Sequence, residues 1–433
     1  MNYYSTNRQV PPATLRDAVL KGLADDNGLY MPERIPQLGN DFFSALHRKT
    51  LQEMALEVAV ALFGDDIAEA QLHDIVYDAL SFEIPLVKVT GSCYSLELFH
   101  GPTMAFKDVG ARFLARMMQH FTRNEKVETN VLVATSGDTG SAVANGFLGV
   151  EGITVTVLYP KGLVSNIQEA QFTTLGQNVR ALEVEGTFDD CQRLVKQAFL
   201  DKELNARRRL TSANSINLAR FIPQAFYYFW GWAQMPQGGE VTVCVPSGNF
   251  GNLTAGILAQ RMGLPVKHFI AANNANDVFL EYLQTGTFSP RPSIATIANA
   301  MDVGNPSNFV RILDLYGNDY AKITAAISGY RYSDAQIREV VKRVFDEAKY
   351  LLDPHGACAC EALRERLQGD KKATGFFLET AHPAKFKETV DDILGADIPI
   401  PGKLQAFMRG RKQTIAMSNR YEDFRAFITS ANK

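Results

Sequence analysis

Apolar residues recur at helical spacing in two stretches near the N-terminus, Leu15 to Leu23 and Phe42 to Phe63. Side chains three and four apart share one helix face, so each stretch predicts an amphipathic helix. Gly28-Leu29-Tyr30-Met31-Pro32 breaks the pattern between them. This first region gathers no catalytic residue types and reads as a covering or docking domain. From about residue 130 the pattern changes to short apolar runs alternating with helical periods. Strands are predicted at Val131–Ala134, Ile153–Leu158, Val179–Val184, Val241–Val245, Val266–Ala271 and Gly375–Leu378. Helices are predicted at Thr139–Leu148, Asn166–Leu175, Phe188–Leu204, Leu253–Met262 and Phe386–Leu394. Such alternation predicts an α/β fold, with parallel sheets covered by helices on both faces. A long aromatic helix, Leu218 to Met235, separates two such blocks. Its Phe226, Tyr227, Tyr228, Phe229 and Trp230 read as core rather than as a cofactor box.

Length and charge narrow the class. At 433 residues the chain exceeds one ordinary core, so two or three domains are expected. With 46% hydrophobic and 21% charged residues it has the balance of a globular protein. The formal net charge of −3 offers no basic excess for a phosphate backbone, so nucleic acid is not an expected partner. No apolar run is long enough to span a bilayer, and the N-terminus lacks the apolar region of a signal peptide. No membrane association and a cytoplasmic location are therefore expected. Cys93, Cys191, Cys244, Cys358 and Cys360 are odd in number and scattered, with one C-x-C and no C-x-x-C. They read as reduced thiols packed as small hydrophobes. The seven histidines have no metal-ligand spacing, and no metal is expected.

The candidate chemistry starts at His100-Gly101-Pro102-Thr103-Met104-Ala105-Phe106-Lys107-Asp108. Val109, Phe113, Leu114, Met117, Met118 and Phe121 then fall on one helical face, which puts Lys107 at or near a helix N-terminus. Cations are disfavoured at that end of the helix dipole. A neutral amine, or an imine to a carbonyl cofactor, removes the conflict. The plain alternative is a lysine that snorkels to water.

Three polar turns follow predicted strands, where open α/β sheets place ligands. Thr135-Ser136-Gly137-Asp138-Thr139-Gly140 suits an anion at a helix start or an ordinary N-cap. Ser247-Gly248-Asn249-Phe250-Gly251-Asn252 suits a phosphate nest, and it matches neither the dinucleotide fingerprint nor the P-loop. Glu379-Thr380-Ala381-His382-Pro383 offers a hydroxyl for a ring nitrogen, with His382 either a base or a solvent-facing loop residue. Ser165-Asn166-Ile167-Gln168 and Asn214-Ser215-Ile216-Asn217 are further polar turns suited to an anionic substrate. Arg207-Arg208-Arg209 reads as a solvated charge run, and Asp353-Pro354-His355-Gly356 as a turn or a pocket loop.

Together these segments resemble the threonine synthases, a family of pyridoxal-phosphate enzymes of fold type II (tryptophan synthase β-like). The residues from Leu96 to Asp108 are similar to the family's cofactor-lysine signature. Tyr4-Ser5-Thr6 and Gly22 to Pro32 are similar to its own N-terminal domain. The resemblance implies an N-terminal domain of residues 1–82 and a catalytic region of residues 83–433 in two α/β lobes, the smaller at roughly 130–235. It implies pyridoxal 5′-phosphate held by Lys107 as a Schiff base, with Lys107 also moving protons among the substrate carbons. It implies a phosphate cradle of Gly248, Asn249, Phe250, Gly251 and Asn252, and Thr380 on the pyridine nitrogen. Ser136, Gly137, Asp138 and Thr139 would bind the substrate carboxylate. Ser165, Gln168, Asn214 and Asn217 would contact the substrate phosphate. The implied reaction turns O-phospho-L-homoserine and water into L-threonine and phosphate by β,γ-replacement, and family members with this N-terminal domain are often monomers. The alternatives are a phospholyase of the same scaffold that releases phosphate and a 2-oxo acid, and a ligand-binding protein without catalysis.

Overall fold

The computed structural model describes every residue except 126, 237–238, 370–372 and 431–433. The chain divides into two compact units, each assembled from separated segments. Among the described residues no helix is long and apolar enough to cross a membrane.

The first unit comprises residues 1, 31–106 and 221–399. Its six-stranded sheet runs in the order Ile327–Arg331, Val266–Asn273, Glu240–Pro246, Ala373–Glu379, Cys93–Glu97, Leu86–Thr90. All neighbours are parallel except the last pair, a hairpin turning at Gly91 with φ 50°. The three central strands are those that the apolar runs predicted. Of the three others, Ile327–Arg331 and Leu86–Thr90 are the edges and carry weaker signals because an edge strand buries one face or less; in Ile327–Arg331 only Ile327 is buried. Cys93–Glu97 is paired on both sides and buries Cys93, Ser95 and Leu96, but its polar residues interrupt the apolar run. The long helical stretch at Phe42–Phe63 is divided in two. Thr50 N-caps the helix Leu51–Phe63 in a reciprocal capping box with Glu53, which ends the preceding turn. The aromatic stretch is also divided, at Pro223, into Leu218–Phe221, a 3-10 turn and Ala225–Gln234. Against the sheet, the helices Asp334–Ala348 and Pro354–Leu367 build a core that includes Cys93, Cys244, Cys358 and Cys360. Cysteines scattered in sequence thus converge in space.

The second unit comprises residues 2–30, 107–220 and 400–433. Its five strands are all parallel, in the order Ile415–Ser418, Val179–Glu185, Ile153–Pro160, Thr129–Ala134, Arg209–Ser212. The helix Lys107–Thr122 buries Val109, Phe113, Leu114, Met117 and Met118, as the spacing predicted, while Phe121 of the same predicted face is only half-buried in the last turn. Small residues let Asp138–Gly146 approach it closely: a methyl added at Gly146 would fall 3.0 Å from the Ala111 carbonyl carbon. Phe188–Leu204 divides at Asp201, whose carboxylate N-caps Lys202–Arg207. The arginine run is solvated only in part. Arg209 opens an edge strand and pairs with Glu125, and Arg208 donates to the Thr429 carbonyl at 2.8 Å.

Candidate functional site

In the first unit, three loops leave the carboxyl ends of adjacent parallel strands. The loop after Glu240–Pro246 is anchored at Ser247, whose N–H donates to Ala272 O at 2.8 Å and whose hydroxyl donates to Val245 O at 2.8 Å. Phe250 then takes a left-handed conformation, φ 61°, which costs about 1–2 kcal/mol for a residue with a Cβ. The turn it makes leads directly into the helix Gly251–Arg261. Among the described residues no backbone carbonyl accepts from the N–H groups of Gly248, Phe250, Gly251 or Asn252. Asn252 Nδ2 is buried and has no partner, while its carbonyl and Oδ1 accept from the Tyr228 hydroxyl at 2.8 and 2.9 Å. A ring of unspent donors at a helix start is a built anion cradle. Behind it, a methyl at Gly248 would fall 2.8 Å from Met301 Cα, so a side chain there has no room.

A strap holds the loop from outside. Asn249 Oδ1 accepts from the Ser307 N–H and hydroxyl, both at 2.7 Å, and Asn308 Nδ2 donates to the Asn249 carbonyl at 3.0 Å. Asn308 Oδ1 accepts in turn from Arg311 Nη1 at 2.7 Å. The Arg311 guanidinium lies 4.0 Å from the Phe221 ring centroid, and full burial lowers its pKa to about 9. The amide oxygen of Asn249 therefore serves the loop's shape.

The strand Ala373–Glu379 ends at Thr380, which is buried. Among the described residues its hydroxyl bonds to no protein group. The segment that leads to Lys107 lies antiparallel along this strand end. Leu98 N–H donates to Glu379 O at 3.0 Å, Phe106 N–H to Thr380 O at 2.8 Å, and His382 N–H to Met104 O at 3.1 Å. The Lys385 ammonium, fully buried, donates to Thr103 O at 2.9 Å, and the Tyr227 hydroxyl donates to Phe106 O. Lys107 is the next residue and the first of its helix, half-buried. His382 acts as a cap: its Nδ1 accepts from Ala384 N–H at 3.1 Å. Burial, then the neighbouring His100, pull its pKa to about 4, so it is neutral near pH 7.

In the second unit the predicted turns again follow parallel strands. Thr135 Oγ1 accepts from the N–H groups of Gly137 (2.9 Å) and Gly140 (2.8 Å) and so shapes the turn. Gly137 has φ 145°, and a Cβ there would fall 2.6 Å from Gln168 Cδ. Gln168 Nε2 donates to Asp138 Oδ1 at 2.8 Å, and Ser165 caps Gln168 N–H. The structure thus brings together Gly137, Asp138, Ser165 and Gln168. Ser136 and Thr139 are half-buried, and among the described residues their hydroxyls bond to no protein group. Asn214 and Asn217 belong to a different turn, after Arg209–Ser212. Asn214 Oδ1 is buried without a partner. Asn217 is spent on backbone: Nδ2 donates to Val19 O (2.8 Å) and Ser212 O (3.4 Å), and Oδ1 accepts from Ala219 N–H (3.0 Å).

Sequence reasoning missed Tyr227, Tyr228, Ser307, Asn308 and Arg311. The aromatic helix is core, yet two of its tyrosine hydroxyls hold the loops of the site. Two adjacent tyrosines in a mainly apolar helix were the available signal.

The chain matches the family model described as pyridoxal-phosphate dependent enzyme over residues 85–376. It also matches the models for threonine synthase N terminus over residues 2–80 and threonine synthase, C-terminal, over 356–428. It is 44% identical to the threonine synthase of Haemophilus influenzae over 430 residues, 99% of each chain. It is 41% identical to that of Escherichia coli, covering 93% of this chain and 94% of the relative. Among solved structures it superposes on threonine synthase from Escherichia coli with TM-score 0.92, 38% identity and complete coverage of both chains. It superposes on the pyridoxal-phosphate-bound threonine synthase of Brucella melitensis with TM-score 0.93 and 35% identity, covering 99% of this chain and 98% of the other.

Proposed function

This chain belongs to the threonine synthase family of pyridoxal-phosphate-dependent enzymes, and from that premise we propose its reaction. It converts O-phospho-L-homoserine and water to L-threonine and inorganic phosphate, the last step of threonine biosynthesis. The observation that carries the reading is the pairing, in one unit, of N–H groups at Gly248, Phe250, Gly251 and Asn252 that no backbone carbonyl accepts, among the described residues, with a buried Thr380 hydroxyl that bonds to no protein group among them. The first suits the cofactor's phosphate and the second its ring nitrogen.

Bound pyridoxal phosphate supplies an electron sink that acidifies the carbons of an amino-acid substrate. Lys107 would hold the cofactor covalently until the amino group of the substrate takes its place, and the Nζ so freed would take and return protons at the substrate α, β and γ carbons. The γ-phosphate leaves and water adds at the β carbon. The N–H groups of Gly248, Asn249, Phe250, Gly251 and Asn252 hold the cofactor phosphate. Thr380, a neutral partner, leaves the ring nitrogen largely unprotonated. Ser136, Asp138 and Thr139 bind the substrate carboxylate, and Gly137, whose N–H is given to Thr135 Oγ1, serves through the shape of the turn. Ser165, Gln168 and Asn214 serve the substrate phosphate, with the Asn214 amide turned to present its NH2. Asn217 serves that site through the shape of its turn, because its own amide hydrogens point at carbonyls.

The same reading keeps residues 1–82 as the family's N-terminal domain and 83–433 as its catalytic region, with the smaller lobe at roughly 130–235; these are divisions of the sequence, and the two compact units cut across them at residues 30 and 220. The N-terminal family match over residues 2–80 supports the division. It also takes the protein as a cytoplasmic monomer, which sedimentation can test. The decisive assay supplies O-phosphohomoserine and measures threonine and phosphate in equal amounts. Formation of 2-oxobutyrate in place of threonine identifies a phospholyase. Lys107→Ala should lose both the visible absorbance of bound cofactor and turnover; retained turnover sinks the mechanism.

A further inference from the structure

Below the end of the strand Ala373–Glu379 lie three titratable side chains that the proposed reaction does not use. Asp353, His355 and Glu379 are 0%, 2% and 0% exposed. Asp353 is the N-cap of the helix Pro354–Leu367. Its Oδ1 accepts from the backbone N–H groups of His355 (2.5 Å) and Gly356 (3.3 Å), and from His355 Nδ1 at 2.6 Å. The other ring nitrogen faces a donor, since Ala300 N–H points at His355 Nε2 from 3.1 Å. This network assigns one tautomer: Nδ1 carries the proton and Nε2 accepts.

Ala300 and Met301 form the wall behind the anion cradle. A methyl at Gly248 would fall 2.8 Å from Met301 Cα and 2.9 Å from Ala300 O, so the two backbones touch. Asp353 also reaches both neighbours of Thr380. Its Oδ2 accepts from Ala381 N–H at 3.3 Å, and its own N–H donates to Glu379 Oε1 at 2.7 Å. Burial, and then the charge of Asp353, push the Glu379 carboxyl well above the usual carboxylate range. Glu379 packs against Asp353, and a Cβ at position 356 would collide with its Oε2 at 1.6 Å. One short chain of hydrogen bonds runs from the two sides of Thr380, through Asp353 and His355, to the wall behind Gly248.

We propose that His355, oriented by Asp353, is a positioning residue that holds the 298–301 segment against the Gly248–Asn252 loop and ties that loop to the strand end carrying Thr380. The proposal deepens the reading of that loop as the cofactor's phosphate cradle and rests on it. His355 touches neither cofactor nor substrate in this account. It acts by setting where the cradle's N–H groups point, and cradle geometry of this kind fails with small displacements.

The test compares the full-length wild type with His355→Leu and His355→Gln. Leucine fills the space but accepts no hydrogen bond; glutamine offers an amide oxygen to Ala300. Pyridoxal phosphate is titrated into each apo protein and followed by absorbance and by the 31P resonance of the bound phosphate. Amide hydrogen exchange is read on the apo proteins. His355→Leu should raise the cofactor Kd on the order of tenfold and shift the 31P resonance, because a buried-side donor loses its acceptor. Exchange at the Ala300 amide should rise while the sheet stays protected, and His355→Gln should restore most of both. Wild-type affinity, 31P shift and exchange in His355→Leu would overturn the proposal, as would equal damage in both variants with protection lost throughout. If wild type binds no pyridoxal phosphate, the functional reading fails, and exchange at Ala300 still decides whether His355 holds the wall.

Discussion

The backbone N–H of Phe106 donates to the carbonyl oxygen of Thr380 at 2.8 Å. The residue just before Lys107 is thereby tied to the residue whose hydroxyl is proposed to meet the ring nitrogen. The other side of the same residue is held too, because the Tyr227 hydroxyl donates to Phe106 O. Both polar backbone groups ahead of Lys107 have fixed partners, as a lysine proposed to move protons among three carbons requires.

Tyr227→Phe removes one hydroxyl from a fully buried ring and leaves the packing intact. The fold should persist, with kcat lowered on the order of tenfold and cofactor affinity changed less, since a single hydrogen bond orders the lysine approach and not the cradle. Steady-state kinetics beside a cofactor titration checks this; an unchanged kcat would count against the tie.

Gly248→Ala places a methyl against the backbone of Ala300 and Met301, which no side-chain rotation can relieve. The loop must shift by several tenths of an ångström. Cofactor affinity should fall by at least roughly tenfold, while the melting temperature of the apo protein changes little, because the loop lies at a sheet end outside the core. Equilibrium dialysis with calorimetry separates the two effects.

His268 and His382 make stability depend on pH. Burial lowers both from the ordinary 6.5 to about 4, with Arg366 adding to the effect at His268 and His100 at His382. Between those values the unfolded chain takes up protons that the folded chain refuses. Their contribution is fully present above pH 6.5, declines as the pH falls and is lost below about 4. Urea midpoints should therefore drop from pH 7 to pH 5. Replacing both histidines by glutamine should flatten that slope; an unaltered slope would reassign it to other groups.

The cysteines should be silent in the native protein. All five are buried; burial pushes Cys93 up to about 11 and Cys191 to about 12, and raises Cys244, Cys358 and Cys360 as well. A thiol reagent at pH 8 should label none within minutes and all five in guanidinium. Rapid labelling of one would mean that its core opens locally.

The sequence by itself determined what local physics encodes. Apolar period separated strands from helices, and the central strands were legible because they are buried on both faces. Small polar residues after those strands singled out Ser247–Asn252, Thr135–Gly140 and Thr380 as turns at strand ends, because such residues allow the chain to turn sharply there. The helix that starts at Lys107 was legible from its apolar face. Only the tertiary structure decided which side chains serve these loops from a distance. Tyr228 meets Asn252 across 24 residues, Ala300 meets His355 across 55, and Asn249 meets Ser307 across 58. No period or turn rule relates such pairs, because their partners are set by which strands neighbour one another in the sheet. The edge strands stayed hidden for a related reason: a strand with one face in water has its partner, not its pattern, to thank for being a strand.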